Sequence, residues 1–157
     1  MTNELKQQFT LRITGANSTE LIVILYDMML SYVEEAKEAH EREDKIGFRE
    51  ALRKIKNCNR ELIASLHMEY ELAVDLLSLY IFVNKELIKA NVYYDESALN
   101  YVSSVIGKLR EAYIEIAKQN DEAPLMQNTQ TILAGYTYGR EDITETIPME
   151  NRRGIYA

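Results

Sequence analysis

The chain has no tryptophan, one cysteine, two prolines, six glycines and two histidines in 157 residues. Each scarcity narrows the reading. A lone thiol, Cys58, cannot close an internal disulfide, so a reducing compartment is expected. Little glycine and proline, with abundant Glu, Lys, Leu, Ala and Ile, favours helix. There is no glycine-rich phosphate loop and no cysteine set with metal-ligand spacing. Di-iron bundles need a Glu three residues before an inward-facing His. Here Lys37 stands before His40 and Ala64 before His67. Both histidines fall near predicted helix ends, which suits a phosphorelay poorly. Cys58 has no surrounding His or Lys pattern and reads as a buried structural thiol. Glu34, Glu35, Glu38, Glu41 and Glu43 interleave with Lys37 and Arg42, the pattern of a solvated helix face. No catalytic residue, cofactor or metal site is expected.

Basic charge and long apolar runs are also short. Lys and Arg total 18 against 25 Asp and Glu, a net charge of -7, and phosphate binding needs concentrated cations. Nucleic acid is therefore not an expected partner. Met1 to Gln8 is polar, without the apolar core of a signal peptide. The longest aliphatic run, Leu21 to Leu25, is far shorter than the about 20 residues that span a bilayer. The expectation is a cytoplasmic protein that does not insert in membranes.

What is present is helical periodicity. The chain reads as an all-α, antiparallel up-and-down four-helix bundle over residues 17–120, with an extended N-terminal arm over 1–16 and an irregular C-terminal tail over 121–157. The predicted helices run from Ser18 to Glu43, Lys45 to Leu66, Glu69 to Ala90, and from just after Asp95 to Asn120. Asn17 can cap the first, with Glu20 completing a capping box, and Asp44 and Asp95 can cap the second and fourth. Asn91 is placed at the third helix's end because it tolerates the left-handed conformation. Pro124 blocks continuation of the fourth. Short connections make neighbouring helices antiparallel. In the arm, Phe9, Leu11 and Ile13 alternate with polar residues, as an extended segment with one apolar edge would.

The helices differ in how much apolar surface they carry. The second and fourth each have one seam: Phe48, Leu52, Ile55, Leu62 and Leu66 in one, and Leu99, Val102, Ile106, Leu109, Tyr113 and Ile116 in the other. The first has two stripes, one through Leu21, Leu25, Met28, Tyr32, Ala36 and Ala39, the next through Ile22, Tyr26, Met29 and Val33. The third also has two, one through Leu72, Leu76, Leu79, Val83 and Leu87, the other through Ala73, Leu77, Ile81 and Ile88. A single core needs one stripe per helix. Either the first and third helices are the more buried pair, or their second stripes form a groove that something else covers.

The stretch Asn17 to Asp27, with Glu20-Leu21 and Leu25-Tyr26-Asp27, resembles the first helix of the FliS flagellar secretion chaperones. The likeness continues through Leu79-Tyr80, through Leu87-Ile88-Lys89-Ala90-Asn91 and through Leu109-Arg110-Glu111-Ala112-Tyr113. It covers roughly Phe9 to Asn120. Phe9 stands where the family has an arm tyrosine, Ser18 where it has proline at the helix start, and Tyr113 where it has tryptophan. The resemblance implies a non-enzymatic cytoplasmic export chaperone. Such a protein holds the C-terminal segment of flagellin, prevents premature polymerisation and assists flagellar type III secretion; the export apparatus is a further candidate partner. It also implies that the arm can cover the binding groove.

On this reading the partner surface lies at or beside Ile22, Tyr26, Met29, Tyr80, Leu87 and Asn91. For Tyr26 and Tyr80 the repeated Leu-Tyr context fits core packing equally well. A client segment that orders on binding needs a long apolar surface to offset its lost entropy, and a helix-in-groove mode would supply it. In the tail, Gln127 to Leu133 loosely resembles flagellin C-terminal ends and could mimic the client. The alternative function is a helical adaptor or structural bundle that homodimerises through the extra apolar surface.

Overall fold

The computed structural model describes residues 1–125. The tail segment Gln127 to Leu133 lies outside the described residues. Within them the chain is all-helical, as expected, but it has five helices rather than four: α1 (Asn3–Gly15), α2 (Ser18–Glu41), α3 (Lys45–Ala64), α4 (Glu71–Tyr93) and α5 (Ser97–Gln119). They fall into two compact units. One is Met1 with Thr19–Asn120; the other contains Thr2–Ser18 and residues 121 to 125.

The extra helix is the segment expected to be extended. Thr2 caps α1 by accepting a hydrogen bond from the Leu5 amide at 3.3 Å, Glu4 sits in the first turn and Arg12 in the last. Both charges complement the helix dipole. The apolar pattern decided between two readings. Phe9, Leu11 and Ile13 share an edge in a strand, whereas Phe9 and Ile13 alone share a face in a helix. Phe9 is 5% and Ile13 1% exposed, while Leu11 is 72% exposed. Around α1's C-terminal end, the Leu125 amide donates to the Ala16 carbonyl at 3.0 Å and the Asn17 side-chain amide to the Glu122 carbonyl at 3.4 Å.

In the larger unit the helix directions follow from pairs of contacts. α2 and α5 are antiparallel: the Asn120 amide donates to Thr19, Arg110 pairs with Asp27, and His40 lies 3.0 Å from Glu96. α2 and α3 are antiparallel too, with Lys54 donating to Glu35 at 3.2 Å and the His40 and Phe48 rings 5.5 Å apart. α2 and α4 run the same way, since Tyr26 meets Tyr80 and His40 meets Tyr94. α4 packs on both α3 and α5. Directions therefore alternate from α2 to α5. The core holds Val33, Phe48, Ile55, Leu62, Val83, Leu99, Val102 and Ile106, all sealed from solvent.

The turns show why the helices stop where they do. Asp44 caps α3 as expected, accepting from the Gly47 amide at 2.9 Å. A Cβ at Gly47 would stand 2.3 Å from the Asp44 carboxylate, so the cap requires glycine there. α4 continues beyond Asn91 to Tyr93 and ends at Tyr94, which takes the left-handed conformation at φ 50°. Asparagine is the better left-handed residue, yet packing overrode propensity. The Tyr94 ring lies 4.4 Å from His40 and 4.9 Å from Phe48, which locks the chain end at that residue. Asp95 accepts from the Ser97 amide at 2.8 Å and so holds the start of α5.

Candidate binding surface

α4 carries more of the large apolar residues left in solvent than any other described helix. Its inner face, Leu76, Tyr80, Val83, Leu87 and Ala90, is buried. Its opposite face carries Val74, Ile81, Ile88 and Val92, which remain 43 to 65% exposed. At 3.6 residues per turn these four lie within about 40° of one line along the helix. Leu77 is half-buried at one margin of the line, and Lys85 is the charged residue within it. Four aliphatic side chains in solvent on one line of a 23-residue helix form an apolar line, with Ser78 and Lys85 between its members.

The inner face is held by polar contacts as well as packing. The Tyr26 and Tyr80 hydroxyls are 2.5 Å apart in the interior. The Asn59 side-chain amide donates to the Tyr80 carbonyl at 2.9 Å and to Asn84 Oδ1 at 2.8 Å, which ties α3 to α4. The Tyr113 ring meets Tyr26 edge-on at 5.6 Å. Burial pushes the Tyr80 phenol up to about 12. Burial also raises Tyr26, and the neighbouring Tyr80 adds to the effect. Both phenols stay protonated at neutral pH and serve as a buried link between α2 and α4. Burial likewise pushes the Cys58 thiol up to about 12, far from a reactive thiolate. Among the described residues, no three His, Cys, Asp or Glu side chains group as metal ligands would. No described helix is long and apolar enough to cross a membrane.

The six residues expected at the partner surface are placed as follows. Tyr26, Met29, Tyr80 and Leu87 are buried, Ile22 is half-buried and Asn91 is exposed. Tyr26 and Tyr80 are brought together directly. Both stripes of α2 are buried apart from the half-exposed Leu21 and Ile22. Neither expected stripe of α4 is wholly inside or outside: in the one through Ala73, Leu77, Ile81 and Ile88, Ala73 is buried and the two isoleucines are exposed, while in the other Leu72 and Leu79 are exposed and Leu76, Val83 and Leu87 are buried. Val74 and Val92 extend the line of the two isoleucines and were not singled out from the sequence. The spacing from Val74 to Ile81 to Ile88 is seven residues each time, a signal that was available.

The described residues thus form a helical module with a closed interior, protonated phenols and thiol, and one apolar helix face in solvent. That is the make-up of a protein-binding module. The family described as "Flagellar protein FliS" matches residues 1–120, and the chain belongs to that family of non-enzymatic flagellar chaperones. The "Flagellar secretion chaperone FliS" of Bacillus subtilis (strain 168) is a similar protein, 28% identical over 101 residues, covering 64% of this chain and 76% of that one.

Proposed function

We propose that the chain is a cytoplasmic chaperone of flagellin, holding its C-terminal segment as an amphipathic helix along the outer face of α4. The observation that carries this reading is the solvent-exposed line of Val74, Ile81, Ile88 and Val92. Burying an aliphatic side chain contributes about 1.5–3 kcal/mol. Four such side chains can offset the ordering of a client segment that is unstructured when free. Membership of a flagellar chaperone family supplies the client class, and the aliphatic make-up of the line suits the apolar face of a helix. Asn91 is exposed on α4 but off the line from Val74 to Val92, and Ile22 lies on α2, which meets the inner face of α4. Tyr26, Met29, Tyr80 and Leu87 support the line from within. Holding that segment keeps flagellin from polymerising early and presents it to the export apparatus.

The test uses flagellin with and without its C-terminal segment. Full-length flagellin should form a complex stable to size-exclusion chromatography, with a negative heat-capacity change by calorimetry. The truncated form should not bind. Ile81→Asp and Ile88→Asp should each weaken binding by about tenfold or more while the helical circular dichroism is unchanged, because both positions are exposed. Met29→Asp should instead unfold the protein, since Met29 is sealed in the core. Equal binding by truncated flagellin would overturn the client assignment. Unchanged binding by both isoleucine variants would move the site off α4.

A further inference from the structure

The outer face of α4 carries a charge order that can set the direction of a helix docked there. One flank of the apolar line is acidic in the first half of α4, at Glu71 and Asp75, and basic in the second half, at Lys85 and Lys89. All four are exposed. Lys89 bonds Glu86 at 3.0 Å but keeps most of its side chain in solvent. Among the described residues, Glu71, Asp75 and Lys85 make no ion pair. The opposite flank, through Leu77, Asn84 and Asn91, carries no charge.

A client helix has a charge order of its own. The unpaired amides of its first turn favour Asp and Glu, and the unpaired carbonyls of its last turn favour Lys and Arg. Laid antiparallel to α4, such a helix puts its acidic half over Lys85 and Lys89 and its basic half over Glu71 and Asp75. The two helix dipoles then oppose as well. Laid parallel, the same helix sets acid against acid and base against base. The apolar line does not make this choice, because Val74, Ile81 and Ile88 repeat every seven residues and read alike in both directions.

We propose that the charged flank of α4 fixes the direction of the client helix, holding it antiparallel with its acidic first half over Lys85 and Lys89. The proposal rests on the outer face of α4 being the client site. Asp75 and Lys85 stand about 15 Å apart along the axis, so the matching charges of the client are about ten residues apart. These charges act by exclusion more than by added grip. Exposed pairs of opposite sign contribute little, whereas like charges pressed together oppose docking. Affinity in the favoured direction therefore stays with the apolar line, and salt erodes the choice of direction more than the binding.

Two synthetic peptides of roughly three heptads test this, alike in composition and in the leucines of their apolar face. One is acidic then basic along its flank, and the other has the reverse order. Each carries a nitroxide at its N-terminus, and broadening of the amide signals of α4 shows which end the label lies near. With the wild-type chain, the acidic-first peptide should broaden Val92 and the basic-first peptide Val74. The Asp75→Lys, Lys85→Glu double variant keeps the net charge and should bind the acidic-first peptide in both directions. Ile81→Asp should bind neither peptide. A label at the C-terminal end of full-length flagellin should broaden Val74. Both peptides lying in one direction, or each lying in both, would overturn the proposal. Binding of neither by the wild type, as when another segment or a second copy already holds the face, would overturn it too. Flagellin that needs its C-terminal segment and Ile81 but lies parallel to α4 removes this inference and keeps the client reading. Truncated flagellin that binds equally, with both peptides in the expected directions, removes the client reading and keeps the direction rule.

Discussion

Tyr26 and Tyr80 show what a residue type in a motif leaves open. Each follows a leucine on a helix with two apolar stripes, and that context suits a partner surface and a core equally. What decides is a contact 54 residues away in sequence, hydroxyl to hydroxyl at 2.5 Å in the interior, and no local pattern encodes it. The pair has a pH signature. Burial holds the Tyr80 phenol at about 12 against an ordinary value of 10.0, and it raises Tyr26 as well. The folded state keeps both protons where the unfolded chain loses them. Stability should thus be complete below pH 10 and fall as pH rises from there through about 12. Melting temperatures by circular dichroism between neutral pH and that range should trace this loss, and a Tyr26→Phe, Tyr80→Phe double variant should lose less of it. A single Phe substitution leaves one buried hydroxyl without its partner and should cost about 1 kcal/mol or more, whereas the double change should be milder. A melting curve that falls identically in the wild type and the double variant would show that other groups govern the alkaline limit.

At the scale of the element, the four long helices were legible because their apolar spacing persists over many turns. The Asp44 cap was legible from its residue type. The start and finish of α4 were less so, since stacking of Tyr94 on His40 and Phe48 carried the helix past Asn91. The exposed apolar face of α4 was visible as surplus apolar periodicity, but which residues faced inward depended on packing against α3 and α5. α1 was misread because a period of two and a period of four overlap in so short a segment. Phe9, Leu11 and Ile13 satisfy the first; Leu5, Phe9 and Ile13 satisfy the second. The two geometries differ at Leu11, so substitution there discriminates between them. Leu11→Asp should leave thermal stability within about 0.5 kcal/mol of wild type, as surface changes do. Ile13→Asp should cost several times more, because it places an unpaired charge at a site only 1% exposed. Equal losses at both positions, measured by denaturant unfolding, would restore the extended reading of this segment.

At the scale of the whole molecule, charge and apolar surface do separate jobs. The net charge of -7 keeps copies apart at long range, while the α4 stripe attracts at short range. The complex proposed for that stripe should then be nearly insensitive to salt. The client complex rests on burial of Val74, Ile81, Ile88 and Val92, with Lys85 the charge on the line. Apolar burial does not depend on ionic screening, so flagellin affinity should hold or rise as salt increases. Calorimetric titration of flagellin into the chaperone at low and high salt should give near-constant affinity. An affinity that falls steeply with salt would show that charge pairs, not the α4 stripe, hold the client.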